Sequence, residues 1–284
     1  RRTMKVTVLQ ENLARGLSVV SRAVSSRSTL PVLSNILIAT DEGRLRLSAT
    51  NLELGITCWI PARIDENGST TVPSRTFSDL VNTLPGDQVQ LTLDLKTQNL
   101  HVKGGSSNND IKCIDAQEFP PMPTPEMKDA VQLNVADFKE MIQQVVFASS
   151  TDEARPVLMG VLMQVEKDKV TMAAADGFRL SVRKGQLAHS VKETLNIIIP
   201  SRALNELARV AHDPEEPIYM VVPKQRGQVL FRVKDVEVVS QLIDGTFPDY
   251  HQIIPRNYKS RTLVSTAALL AMTCTPKLTK PKGS

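Results

Sequence analysis

The sequence is short of cysteine and of long apolar runs. Its 284 residues include three cysteines, Cys58, Cys113 and Cys274, and no two of them are spaced as CxxC. This argues against a disulfide scaffold or a zinc site and fits a reducing cytosol. No apolar run approaches the roughly 18 residues that span a bilayer, and the first residues lack the apolar segment of a signal peptide. We therefore expect a cytoplasmic protein with no membrane partner.

The sequence also lacks a catalytic constellation. Its four histidines are isolated, without HxxxH or HExxH spacing, so a histidine metal site is not expected. The glycine-rich segment 104–107 has no Walker lysine and does not open a helix, so we interpret it as a hairpin or loop. No Ser-His-Asp arrangement can be nominated from spacing. The sequence thus predicts a protein without catalytic residues, metal or cofactor.

Positive charge is unevenly placed along the chain. The formal net charge is +4, but residues 258–284 carry five basic residues and no acid. Without that segment 29 basic residues face 30 acidic ones, so the rest of the chain is mildly acidic. The overall charge is therefore no evidence for nucleic-acid binding, and any such evidence must come from where the bases lie.

The chain contains an internal duplication. Pro31–Leu33 recurs as Pro156–Leu158 at a shift of 125, and Val72–Arg75 recurs as Ile199–Arg202 at a shift of 127. Ordered blocks with a slowly drifting shift are typical of duplicated domains that have gained small loop insertions. The sequence therefore predicts two copies of one long module.

Each copy has the same order of period-2 and helical patterns. We predict an α+β fold of duplicated modules, β-α-β-β-β-α-β-β-β, with helices on one side of antiparallel strands. The predicted domains are residues 4–126, residues 127–255, the start of a third copy at 256–273 and a basic, disordered tail at 274–284.

Basic residues recur on the predicted helices. Arg15 and Arg22 are seven apart and share a helix face, and Arg75 and Arg202 open matched helices. With two more bases they form a candidate cationic surface: Arg15, Arg22, Arg75, Lys139, Arg202 and Arg209. The alternative, that these are ordinary solvated helix residues, stays open, since acids lie on the same helices: Glu140, Asp79 and Glu206.

Several blocks together resemble the bacterial sliding clamp, the β subunit of DNA polymerase III. The resemblance runs from about Met4 to Met272. The blocks that carry it are Met4–Val8, Arg27–Asn35, Ala49–Glu53, Val72–Arg75, Ala175–Leu180, Ile199–Arg202 and Asp244–Tyr250.

The resemblance implies a non-catalytic processivity factor. Members of the family join head to tail into a ring of six modules, with helices on the inner face around duplex DNA and antiparallel sheets outside. The implied partners are double-stranded DNA bound without sequence preference, the replicative polymerase catalytic subunit, the clamp loader, other clamp-motif proteins and further clamp chains. It also adds Arg27 as the best single candidate for touching DNA.

A second implied site is a hydrophobic pocket that captures linear peptides from partners. Matched residue by residue, it would use Leu158, Ala175, Gly177, Phe178, Arg179, Leu180, Pro248, Gln252 and Ile253. The family often has Thr at the position of Ala175 and commonly has His at that of Phe178, so the polar details of the pocket differ here.

The sequence shows two complete modules where the family has three. One hypothesis is a partial clamp that binds partner peptides but cannot close a ring on DNA. Another is that three two-module chains close a ring of six. A two-domain enzyme is the remaining class, and the sequence offers no nucleophile, metal set or phosphate loop for it.

Overall fold

A computed structural model describes residues 4–25, 30–124, 126–127, 130–213, 215–223, 227–252, 254–255 and 257–274. The chain divides into two compact units, Arg1–Phe247 and Pro248–Ser284. The first unit contains the first predicted module and most of the second, whose last predicted residues, 248–255, fall in the second unit. Within the described residues, no helix has the length and apolar character required to cross a membrane.

The first module alternates one strand, one helix, a group of strands, a second helix and three more strands. Its elements are β1 (Lys5–Leu9), α1 (Gln10–Val20), β2 (Asn35–Asp41), β3 (Arg44–Thr50), β4 (Leu54–Pro61), β5 (Arg63–Glu66), β6 (Ser69–Pro73), α2 (Ser74–Thr83), β7 (Gln88–Asp94), β8 (Asn99–Gly104) and β9 (Ser107–Lys112).

The second module repeats this order. Its elements are β10 (Val131–Leu133), α3 (Val135–Val145), β11 (Gly160–Glu166), β12 (Lys169–Ala175), β13 (Leu180–Gln186), β14 (Leu195–Pro200), α4 (Ser201–Val210), β15 (Ile218–Val221), β16 (Gln228–Val233) and β17 (Val236–Gln241). The duplicated α+β fold class is therefore confirmed. Between their two helices the modules hold five and four strands, where the sequence pattern indicated three.

The helices form because their apolar residues recur at helical spacing and are covered by the sheets. Helix α1 buries Leu13, Leu17 and Val20, as the pattern predicted. Gly16 lets α1 approach the sheet closely, since a Cβ there would lie 2.8 Å from Leu47 Cδ1. Asn134 caps α3, since its Oδ1 accepts the Asp137 N–H at 3.0 Å.

Within the part of the chain that the structure describes, the strands pair in antiparallel fashion and form three sheets. A five-stranded sheet has the order β5-β1-β7-β8-β9, and a four-stranded sheet has the order β13-β12-β11-β14. The third sheet has eight strands in the order β10-β15-β16-β17-β4-β3-β2-β6, so it draws strands from both modules.

The two modules are joined by the pairing of β4 with β17. Val238 lies opposite Ile56, and both side chains are almost fully buried. At the ends of this ladder the Trp59 N–H donates to the Asp235 carbonyl at 2.9 Å, and the Gln241 N–H donates to the Glu53 carbonyl at 2.8 Å. The boundary therefore combines backbone hydrogen bonds with apolar burial, as the interior of a sheet does.

Two local predictions need correction. Helix α1 ends at Val20, and Arg22 lies in the 3₁₀ turn Ser21–Ala23, so Arg15 and Arg22 do not share one continuous helix. In the second unit, the predicted start of a third copy implied a strand from about Leu263 that leads into a helix, but residues 261–265 form no strand. A helix follows them, α5 (Thr266–Cys274), with exposed side chains at residues 266–273. The predicted tail lies beyond the described residues from residue 275 onward.

Candidate functional site

We call Arg15, Arg22, Arg75, Lys139, Arg202 and Arg209 the cationic set. Two of its members open matched helices, since Arg75 is the second residue of α2 and Arg202 the second residue of α4. Arg75 is 96% exposed and lies 3.9 Å from Asp79. A cation in the first turn is opposed by the helix dipole. Helix stability therefore does not explain why both modules place an arginine there.

The other two helices carry one cation each. Arg15 on α1 is exposed, and its Nη2 donates to Asn12 Oδ1 at 3.1 Å. Lys139 on α3 is half-buried, and its Nζ donates to the Ala211 carbonyl at 2.7 Å. Because Ala211 is the C-cap residue that follows α4, this ammonium binds at a helix C-terminus, where a cation is favoured. Lys139 is thus already engaged by the fold.

Three arginines of the cationic set, Arg22, Arg202 and Arg209, meet at the module boundary. Arg22 Nη1 lies 3.5 Å from Glu206 Oε2, and Arg209 Nη1 lies 2.8 Å from Glu206 Oε1. Arg202 Nη2 donates to the backbone carbonyl of Arg22 at 3.2 Å. We call Arg22, Arg202, Glu206 and Arg209 the boundary cluster. It brings the end of α1 in the first module against α4 in the second. Arg27 lies outside the described residues.

The predicted peptide-site residues of the first unit surround a tight turn between β12 and β13. Asp176 Oδ1 accepts the N–H groups of Phe178 and Arg179 at 2.9 and 3.0 Å. Gly177 has a φ of +93°, a conformation that side chains disfavour. The pKa of Asp176 is lowered. The hydrogen bond from the Phe178 N–H has the largest influence, and the contacts with Arg179 act in the same direction.

The first module contains the same turn. Asn51 Oδ1 accepts the N–H groups of Glu53 and Leu54, and Leu52 has a φ of +77° at the position of Gly177. The shift between the two turns is 125, as in the sequence duplication. The turn is therefore part of the module architecture, and its side chains are what differ.

Arg155 ties this turn to the 3₁₀ segment Pro156–Met159. Its Nη1 donates to the Asp176 carbonyl at 3.1 Å, and its Nε pairs with Asp152 Oδ2 at 2.9 Å. The Leu158 N–H donates to the Arg155 carbonyl at 3.0 Å. The structure thus brings Leu158 and the Asp176 turn into one hydrogen-bonded assembly.

Two phenylalanines are exposed near this assembly. Phe178 is 95% exposed, and Phe147 is 58% exposed. The Arg179 guanidinium lies 5.7 Å from the centre of the Phe147 ring, and its Nε pairs with Asp176. We call Phe147, Leu158, Asp176, Phe178 and Arg179 the turn cluster. Ala175 and Leu180, paired across β12 and β13 at its base, are half-buried. Exposed aromatic groups beside a cation are typical of binding surfaces.

The last three predicted pocket residues belong to the second unit. Pro248 is exposed, and Gln252 Nε2 donates to Asp249 Oδ2 at 2.9 Å. Ile253 lies outside the described residues. In the first unit, Gly245 packs against Val157, since a Cβ on Gly245 would lie 2.7 Å from Val157 Cγ2.

Sequence reasoning missed the roles of Phe147, Arg155 and Asp176. It treated Glu206 only as a solvated acid. Phe147 follows the last apolar position of α3, where the helical spacing no longer distinguishes a buried residue from an exposed one. Asp176 was part of the resemblance, and the signal for its role is the Asp-Gly pair of a turn. Nothing in the spacing of Glu206 indicates that it lies at a module boundary.

Neither a metal-binding group nor an activated thiol is found among the described residues. They contain no group of three His, Cys, Asp or Glu side chains that could hold a metal ion. Burial raises the pKa of the Cys58 thiol to about 11 and also raises that of Cys113. Both thiols are therefore protonated and poorly nucleophilic near neutral pH.

The family models and the known relatives that match this chain point to the same family. A family model described as the DNA polymerase III beta subunit, N-terminal domain, matches residues 4–123, and the model of its central domain matches residues 132–249. The beta sliding clamp of Synechococcus elongatus is 35% identical over 271 residues, covering 94% of this chain and 72% of that protein.

Solved structures agree with this. The DNA polymerase sliding clamp of Bacillus subtilis has a TM-score of 0.86 at 32% identity, covering 89% of this chain and 68% of that one. A sliding clamp from Pseudomonas aeruginosa bound to griselimycin has a TM-score of 0.82 at 27% identity, covering 90% and 69%.

The Asp176 turn gives a first prediction. Asp176→Ala should speed the hydrogen exchange of the Phe178 and Arg179 amides, because both lose their acceptor. Asp176→Asn should preserve their protection, since Asn51 makes the same turn in the first module. Because the pKa of Asp176 is lowered, protection in the native chain should persist as the pH falls through about 3.9, the ordinary value, and be lost at lower pH. Amide exchange followed by NMR measures this, and equal protection in the Ala variant would contradict it.

Proposed function

The chain belongs to the DNA polymerase III beta subunit family, the bacterial sliding clamps, and we propose that it tethers the replicative polymerase to duplex DNA as a non-catalytic processivity factor. The observation that carries the DNA-binding part is the matched placement of Arg75 and Arg202 at the starts of α2 and α4. The exposed aromatic groups of the turn cluster carry the partner-binding part.

A sliding protein must stay on DNA without gripping it strongly. Non-specific electrostatic binding gives a Kd of only about 10⁻⁴ to 10⁻⁶ M at physiological salt. A closed ring would retain the duplex by topology while each contact stays weak. Cations on helix surfaces would then offset repulsion between phosphates and an otherwise acidic body, without reading sequence.

The members of the cationic set differ in how freely they could meet a phosphate. Arg15 and Arg75 are the most available, since their described partners are one amide oxygen and one carboxylate at 3.9 Å. At Arg75 and Arg202 a phosphate would also meet unpaired N–H groups of the first helical turn. Lys139 is the weakest candidate because its ammonium already donates to the Ala211 carbonyl at the C-terminal end of α4. Arg27 stays a prediction from the resemblance.

The DNA interface gives a second prediction. The double variant Arg15→Ala, Arg75→Ala should bind a labelled duplex more weakly, and log K should fall less steeply with log salt, by about 0.9 for each phosphate that is no longer neutralised. A salt titration by fluorescence anisotropy measures the slope. The control is Arg63→Ala, Lys96→Ala, which removes the same charge from β5 and from the β7–β8 turn. Equal slopes for the two double variants would contradict the assignment.

We further propose that the turn cluster binds linear peptide motifs from the polymerase, the clamp loader and other partners. Phe178 and Phe147 offer apolar area, Leu158 and Leu180 add to it, and Arg179 supplies a charged group beside it. A largely apolar surface with few polar groups is typical of peptide anchors. Pro248, Gln252 and Ile253, the other residues that the resemblance implies for this site, stay predictions.

The peptide site gives a third prediction. Phe178→Ala should weaken binding of a short Gln- and Leu-rich clamp-motif peptide at least about tenfold, since central aromatic groups carry much of such binding energy. Fluorescence polarisation with a labelled peptide measures it. Leu52→Ala is the matched control, because Leu52 is an exposed side chain in the same turn of the first module. If both variants bind as the native chain does, the site lies elsewhere.

The ring itself requires sheet edges that accept further modules. A shift of 125 carries the β3–β4 pair Ala49–Ile56 onto the β12–β13 pair Ala174–Ser181. A shift of 129 carries the β8–β9 pair Asn99–Lys112 onto the β16–β17 pair Gln228–Gln241. The edge strands β13 and β9 are thus the counterparts of β4 and β17, which join the two modules. We propose that other clamp modules pair with these edges.

The edges give a fourth prediction. The N–H of Cys113, just after β9, donates to the carbonyl of Gln98, just before β8, so by alternation along β9 the Asn108 N–H points away from the sheet. Asn108→Pro should remove an edge donor and shift the chain toward the monomer, while Asn108→Ala should associate like the native chain. Light scattering over a range of concentrations measures the mass. A native chain that is monomeric throughout, or a Pro variant that associates normally, would contradict self-association through β9.

A further inference from the structure

Glu206 is a buried carboxylate placed among arginines of the cationic set. It is 8% exposed and lies on α4 with the buried residues Leu204, Leu207 and Val210. Each carboxylate oxygen faces one arginine, with Oε2 at 3.5 Å from Arg22 and Oε1 at 2.8 Å from Arg209. Burial of an unpaired carboxylate is strongly unfavourable, and the two arginine contacts offset the cost of burying this one.

The two arginines are less buried than the carboxylate. Their side chains are 41% and 58% exposed, against 10% for that of Glu206. One end of each guanidinium is therefore held by Glu206 while other N–H groups remain open to solvent. The pairing also crosses the module boundary, because Arg22 belongs to the first module and Arg209 to the second.

The matched position in the first module shows a different arrangement. Asp79 on α2 corresponds to Glu206 at the shift of 127 that relates Arg75 to Arg202. Its side chain is 75% exposed, and it lies 3.9 Å from one arginine on its own helix. In both modules an acid thus follows, on the same helix, the arginine that opens it. Of these two acids only Glu206 is buried and contacts arginines from both modules.

We propose that Glu206 limits the DNA affinity of the chain, by holding Arg22 and Arg209 in place and neutralising part of their charge. This inference rests on the proposed function. A phosphate that approaches either arginine competes with a carboxylate already in place, so each contact forms and breaks readily. Glu206 is therefore a positioning residue that keeps the grip weak at the boundary between modules, as sliding requires.

The test is the variant Glu206→Gln in the 284-residue chain, with a labelled duplex as the probe. Loss of the carboxylate charge should free both arginines, tighten binding and steepen the plot of log K against log salt by about 0.9 for each further phosphate that is neutralised. Between 50 and 200 mM salt, the loss of affinity should grow about 3.5-fold per phosphate. Asp79→Asn is the matched control and should change the slope little, because Arg75 is already 96% exposed.

Further variants separate this effect from a purely structural role. In the triple variant Glu206→Gln, Arg22→Gln, Arg209→Gln, the gain in DNA affinity and in salt slope should vanish. If Glu206→Gln does not fold, the double variant Arg22→Gln, Arg209→Gln is measured instead. The native slope should then fall, but by less than the roughly 1.8 that two full phosphate contacts would give, because Glu206 already neutralises part of this charge. A purely structural ion pair predicts an unchanged slope in either case, and that result would overturn the inference.

Failure of the two proposals can be told apart. If Arg15→Ala, Arg75→Ala lowers the slope while Glu206→Gln matches the native chain, the DNA interface stands and the role of Glu206 is wrong. If the native chain shows no salt-dependent DNA binding, both the interface and the inference fail.

Discussion

The pairing of β4 with β17 is the interaction on which the rest of the structure depends. It fuses strands of two modules into one sheet of eight. Because helices pack on these strands, the ladder also fixes where α1 and α4 lie relative to each other. The contact between Arg22 and Glu206, 184 residues apart, follows from that placement. Without the ladder, the cationic set would be two independent groups.

Much of the fold could be predicted from the sequence, because duplication and periodicity leave direct marks on residue order. The buried positions Leu13, Leu17, Phe138 and Ile142 follow helical spacing and are buried as expected. The position of Arg22 was harder, since a 3₁₀ turn continues the chain in nearly the same direction as a helix. In the second module, β13 was missed because it has little apolar alternation on a partly exposed edge.

The candidate site was predictable in identity but not in its interactions. Spacing indicated which arginines recur, yet it could not show that Lys139 closes α4 or that Glu206 is buried. Both facts depend on contacts between residues more than 70 positions apart, which no local pattern records. The Asp176 turn is the opposite case, because its hydrogen bonds span three residues and Asn51 repeats them.

In the proposed ring, the two kinds of edge would let one module serve both a permanent and an exchangeable joint. At the permanent joint, Ile56 and Val238 face each other and are buried. Their counterparts on the outer edges are Ser181 and Asn109, which are polar. An apolar edge left open would invite unspecific strand pairing, whereas a polar edge pairs mainly through backbone hydrogen bonds. A clamp that must open around DNA needs such a weaker joint, so the polar edges are consistent with reversible closure, while the apolar ladder keeps each pair of modules intact.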